Sequence, residues 1–219
     1  MELEFIEDVD RDVKNWQLSL TAHSSFVLDP KKYLPKDIIQ EKLDDTEYLK
    51  QYLFKKFYEP GKISEFKKWL TTNVNTTEIQ NDIETLMNRV FPPLSIKAYI
   101  TVFGLGRYST ELSIFYIIYS SPERDRRIRI SNIYHELMHF LFHIYFWEKC
   151  EKAGFSSTQI HTLKESLTVL LNPILEERGL PLDNGYLPHQ EIRTKIKDTW
   201  NRNKNFESSL VKFLQIKLL

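Results

Sequence analysis

Residues Ile133–Trp147 read IYHELMHFLFHIYFW, and the rest of the chain has to be arranged around them. A helix drawn through this stretch is apolar on every side, so it belongs inside a core with other elements packed round it. The run is too short to cross a bilayer, which takes about 20 apolar residues. Within it, His135-Glu136-Leu137-Met138-His139 is an H-E-x-x-H pentapeptide. Residues four apart on an α-helix lie one turn above each other, so His135 and His139 share a face. Two imidazoles at that spacing can hold one Zn²⁺, and Glu136 is placed to act on a water there. The competing reading is a buried helix whose histidines are satisfied by ordinary hydrogen bonds. It leaves a carboxylate unexplained in an apolar segment, where Glu is rare unless paired.

The composition narrows what such a helix can serve. With 219 residues the chain is one large domain or two small ones, ample for a real core. Lys+Arg and Asp+Glu both total 30. That balance argues against a general binder of nucleic acid or membrane surfaces, which carries a basic excess. The single cysteine, Cys150, excludes an internal disulfide and fits a reducing compartment. The opening MELEFIEDVDRDV is acidic and lacks the basic-then-apolar layout of a signal peptide, so the expectation is a cytoplasmic protein.

Before the motif, residues 1–92 read mainly as helices. Ile6, Val9, Val13, Trp16 and Leu20 recur at helical spacing, and EYLKQYLFKKFYE is amphipathic up to the stop at Pro60-Gly61. ISEFKKWLTTN and TTEIQNDIETLMNRVF give two more helices. Pro92-Pro93 marks a change of character. Residues 96–103 and 111–119 are rich in β-branched and aromatic side chains, and Gly104-Leu105-Gly106 leads the loop between them. A hairpin or two neighbouring strands is expected. Pro122–Arg129 is a charged loop, either simply solvated or able to meet acidic groups of a substrate. Ser131 is an expected N-cap for the motif helix, Gly154 its stop, and Ser156, Ser157 or Thr158 caps the next helix.

In that next helix, HTLKESLTVLLN, residues His161, Glu165, Thr168 and Asn172 line one polar face, with Leu163, Leu167, Leu170 and Leu171 on the rest. Further on, Asp183-Asn184-Gly185 forms a turn and a helix starts near Pro188, with Tyr186 and His189 at the junction. The final SLVKFLQIKLL is amphipathic, suited to pack on the core or on a partner.

Around YHELMHFLF the chain resembles the zincin metallopeptidases. The resemblance implies an α+β, zincin-like fold: a helical N-terminal part over 1–92, then over 93–219 a short sheet, the active-site helix and a ligand-bearing helix. Edge strands offer unpaired backbone groups to an extended peptide, which gives that order a physical reason. In gluzincins a glutamate on the helix after H-E-x-x-H is the third zinc ligand, and Glu165 stands in the corresponding place. An ordinary solvent-facing glutamate is the alternative. Val169 stands where thermolysin-like members carry an acidic residue, so the small single-domain gluzincins are the nearer comparison. Metzincins need a histidine where this chain has Tyr145, and His143 lies about 12 Å along the helix from His135, too far for the same tetrahedral site. Asp183 is the rival third ligand, because aspzincins use an aspartate with glycine and tyrosine nearby.

What the resemblance implies is peptide-bond hydrolysis of a peptide or protein substrate. Zn²⁺ sits on His135, His139 and Glu165, and Glu136 serves as general base. Tyr186 or His189 is a candidate to stabilise the oxyanion. The alternative is a latent or non-catalytic binding module that keeps a zincin fold. One geometric condition follows for Glu165. His139 lies about 22 Å of helix before Gly154, whereas Glu165 is about 12 Å into its own helix. The motif helix must therefore end early, near Glu148, or the two helices must cross at a wide angle.

Overall fold

A computed structural model describes residues 1–21, 34–103, 106 and 108–216. Gly104 and Leu105 of the expected loop, and residues 217–219 of the expected last helix, lie outside them. The chain is α+β, with ten α-helices and a four-stranded mixed sheet among the described residues. No helix among them is long and apolar enough to cross a membrane. Contacts group the chain into two units, neither of them continuous. One comprises Glu2–Val74 with Leu94–Arg129; the other comprises Met1, Asn75–Pro93 and Ile130–Leu219. The stretches 1–92 and 93–219 are thus each shared between both units.

The first unit holds the sheet. It runs β1 (Glu2–Ile6), α1 (Val9–Thr21), α2 (Thr46–Leu53) continued by a π-helical stretch Phe54–Tyr58, and α3 (Lys62–Asn73). After the Leu94 return come β2 (Ser95–Thr101), β3 (Tyr108–Ser109) and β4 (Ile114–Ile118). Residues 2–6 are a strand and not the start of a helix. Glu2 and Glu4 are exposed while Phe5 is buried, the period of two that a half-buried strand needs. The helix begins only after Asp8, whose carboxylate accepts the Asp10 and Arg11 amides at 3.0 and 3.1 Å. β2 and β4 are neighbours, but they run parallel and form no hairpin; the sheet order is β1-β2-β4-β3, with only β3 antiparallel. Val13 and Trp16 of α1 pack with Leu49 and Leu53 of α2 and with Phe103 to make the core under these helices.

Deep in this unit lies a carboxylate. Asp12 is fully buried and accepts a 2.6 Å hydrogen bond from the Thr101 hydroxyl, 3.2 Å bonds from the Val102 amide and another of 3.2 Å from Tyr58. It ties α1 to the end of β2.

The second unit is helical and holds the motif. Its elements are α4 (Thr76–Met87), most of α5 (Arg127–Tyr145), α6 (Trp147–Lys152), α7 (Ser157–Leu167), α8 (Asn172–Glu177), α9 (Gln190–Asn203) and α10 (Phe206–Ile216). Ile133, Leu137, Leu141, Phe142 and Phe146 have no exposed surface, so the motif helix is the buried centre its composition demands. Ser131 is not its N-cap. The helix starts earlier, at Arg127, whose amide donates to Asp125 at 3.0 Å, and the Ser131 hydroxyl instead donates to the Pro181 carbonyl at 2.6 Å. The other end stops at Tyr145, where Phe146 leaves helical geometry at φ −126° and ψ −21°. Gly154, with φ +88°, ends the short α6 instead. Of the two conditions set for Glu165, the early stop is therefore met. Ser156 caps α7 in a full capping box with Gln159.

Candidate metal centre

Three segments of the motif unit converge on one spot. The middle of α5 brings His135, Glu136 and His139; α7 brings Lys164 and Glu165; the loop before α9 brings Asp183 and Tyr186. His135 and His139 lie one turn apart on the same face, their rings edge to face with centroids 4.2 Å apart, as the i, i+4 spacing allows. One donor atom each from His135, Glu136 and His139 fall within 4.8 Å of one another. The Glu165 carboxylate faces both rings: Oε2 lies 3.2 Å from His135 Nε2, and Oε1 lies 3.8 Å from His139 Nε2. Glu165 is therefore not a solvent-facing residue.

Asp183 takes a different position. Its Oδ2 lies 2.6 Å from His135 Nδ1, the ring nitrogen turned away from Glu165. It orients the imidazole and leaves Nε2 for the donor cluster, the arrangement seen behind zinc-binding histidines generally. Asp183 is itself held from several sides. Asn172 exchanges two hydrogen bonds with its backbone, at 2.8 and 3.0 Å, and the Gly185 amide donates to Oδ1 at 2.8 Å. The buried Arg193 of α9 reaches Oδ1 at 3.1 Å and the Thr168 hydroxyl at 2.9 Å. Arg193 passes so close to Gly185 that a Cβ there would lie 2.5 Å from its Nη1, and Gly185 has φ +59°. Only glycine suits both demands.

The electrostatics follow from this packing. Burial alone would lower the His135 imidazole, but the Asp183 and Glu165 carboxylates raise it to about 10. In a metal-free site the ring carries a proton between two acids, and a cation replaces that proton when it binds. Burial pushes Glu136 up to about 7, and its Oε2 is a buried oxygen that accepts no hydrogen bond. Burial would raise Glu165 as well, yet the charged His135 imidazole and the Lys164 ammonium beside it hold it well below the usual carboxylate range. His139 goes the other way: burial first, then the Lys164 ammonium, keep it neutral.

His135, Glu136 and His139 form a group that could hold a metal ion, with the Glu165 carboxylate beside it. Ligand bonds of about 2.0–2.1 Å put tetrahedral corners about 3.3 Å apart. The separations of 3.2 and 3.8 Å from the histidine nitrogens, each to a different Glu165 oxygen, are of that size. Glu136 Oε2 is buried without a hydrogen-bond donor, a costly condition that a cation nearby would relieve.

Of the other candidates, Tyr186 adjoins the cluster. Burial and then the charges of Glu165, Glu136 and Asp183 raise its phenol, although the residue keeps 39% of its surface exposed. His189 is buried with its ring edge-on to Tyr186, centroids 5.5 Å apart, so it stands behind the tyrosine. His143 stacks on Trp147 at 4.2 Å, which fits a structural role. Three participants are not among the residues expected from the motif: Lys164, Arg193 and, as an orienting group, Asp183. Lys164 leaves one trace in the sequence, a lysine among the apolar positions Ile160, Leu163 and Leu167 of α7. Arg193 leaves none. No protein-family model, curated protein or solved structure matches the chain, so the donor cluster itself carries the functional conclusion.

Proposed function

We propose that this chain is a zinc-dependent metallopeptidase with a zincin-like, gluzincin-type site, hydrolysing peptide bonds in peptide or protein substrates. The observation that supports it is the convergence of His135 Nε2, His139 Nε2 and the Glu165 carboxylate, with His135 backed by Asp183. Those three residues would hold the metal, as the residue-type pattern of open catalytic zinc sites requires. Zinc, when bound, supplies Lewis acidity and makes a nearby water more acidic.

The remaining work falls to the chain. Glu136, buried with an unclaimed carboxylate oxygen, takes the proton from the attacking water and delivers it to the leaving amine. Tyr186, half in solvent beside the acid cluster, donates its phenol O–H to the oxyanion, and His189 supports its ring from behind.

Cleavage of a mixed peptide library in the presence of zinc tests this. The wild type should cut, and Glu136→Gln should retain zinc while losing about a thousandfold or more in rate. A zinc-loaded wild type that cuts nothing across the library sinks the catalytic half and leaves a non-catalytic binding module with a zincin fold.

A further inference from the structure

We infer that Lys164 is a built-in counter-cation of the metal centre, which holds the donors together when no metal is bound and weakens metal binding when one is. This rests on the metal reading of the same site and goes beyond its ligand set. Lys164 is only 2% exposed, unusual for a lysine unless it is paired. Its ammonium lies 2.7 Å from Glu165 Oε1 and 3.2 Å from His139 Nδ1. An ammonium only donates, so it bonds Glu165 Oε1 and, while the neutral ring carries its proton on Nε2, His139 Nδ1. A metal on Nε2 needs that proton moved to Nδ1 and the second bond given up. The oxygen it holds is the one facing His139 Nε2. Lys164 and an incoming metal therefore compete for one carboxylate oxygen.

The charges of the cluster make the competition matter. Glu136, Glu165 and Asp183 are the acids; Lys164 and Arg193 are the fixed cations around them. Arg193 is spent on Asp183, away from the donor atoms. Lys164 takes one unit of negative charge away from what the cluster presents to a divalent ion. Opposed charges a few ångströms apart in a buried site interact strongly, so one charge more or less shifts affinity by at least an order of magnitude. The same ammonium, together with the His135 ring, balances Glu165 in the metal-free chain.

The test is zinc affinity by competition with a chromophoric chelator, together with Tm in a chelator, for wild type, Lys164→Met, Lys164→Gln and Lys164→Arg. Lys164→Met should bind zinc roughly tenfold or more tightly than wild type. Its metal-free form should melt lower and regain more on adding zinc. Lys164→Arg, which keeps the charge, should stay close to wild type in affinity. Lys164→Gln supplies the same comparison if the methionine variant does not fold. Wild type that binds zinc while folded Lys164→Met or Lys164→Gln binds it no tighter overturns the inference and leaves the metal reading intact. If neither wild type nor the neutral variants take up zinc, the metal reading falls and takes this with it.

Discussion

Asp12 and Asp183 are both buried aspartates, one in each unit, and their surroundings drive them in opposite directions. Asp12 meets neutral donors: the Thr101 hydroxyl, the Val102 amide and the Tyr58 phenol. Burial wins there and pushes its carboxyl up to about 7. For Asp183, burial would do the same, but the His135 ring and the Arg193 guanidinium hold the carboxyl below its usual range. Neutral hydrogen bonds stabilise a buried carboxylate less than an ionic partner does. The sheet unit thus contains an acid that can stay protonated as a staple, and the motif unit contains two acids, Glu165 and Asp183, kept ionised by cations. Among the described residues, the group that could hold a metal ion lies beside the second arrangement.

The largest expected effect comes from breaking the ionic side of this contrast. Asp183→Asn leaves Arg193 buried without its charge partner, so it should cost about 3–5 kcal/mol in denaturant unfolding. It should also weaken zinc binding by about 10–100-fold, the usual cost of removing a group behind a ligand. Asp12→Asn removes a charge that is already partly absent near neutral pH, and should cost only about 1–2 kcal/mol. Equal losses in the two variants would erase the distinction.

The pH dependence is smaller and carries a sign. Asp12 has a folded value raised above its unfolded one, so the protonated form favours folding. That contribution is fully present below about 4, and is lost as pH rises through about 7. Between about pH 5 and 7.5 the wild type should therefore lose stability relative to Asp12→Asn, by about 2–3 kcal/mol, with little further change above that. Other groups titrate there too, including His135, but they are common to both proteins. A flat difference between the two Tm profiles would show that Asp12 is ionised throughout.

The smallest effect concerns the helices that present these groups. Ser156→Ala removes the capping box of α7, which carries Glu165, and should cost about 1 kcal/mol. Asp45→Ala removes the corresponding cap of α2 in the sheet unit, where the Tyr48 amide donates at 3.0 Å, for a similar cost. Only the first should also weaken zinc binding.

The motif helix was legible because its evidence is local: an apolar run, an i, i+4 pair, and no proline. Glu165 was legible for the same reason, being on the polar face of the next helix, and the early stop at Tyr145 brings it into reach. The strand Glu2–Ile6 was hidden because Ile6, Val9 and Val13 also fit a helical period, while its partner β2 lies some 90 residues away in sequence. Parallel pairing of β2 with β4 is likewise set by tertiary contact, as apolar runs alone do not give strand direction. Lys164 reaches His139 across 25 residues of chain and Arg193 reaches Asp183 across 10, distances over which no spacing rule operates. Ser131 satisfied the chemistry of a cap, but Asp125 does so earlier.

The central claim is that the H-E-x-x-H pair of α5 holds a metal. Elemental analysis of purified protein after mild dialysis tests it most directly, with His135→Ala treated alongside. The wild type should retain about one zinc per chain and His135→Ala little or none. Equal metal in the two proteins, or none in either after loading with zinc, would contradict it.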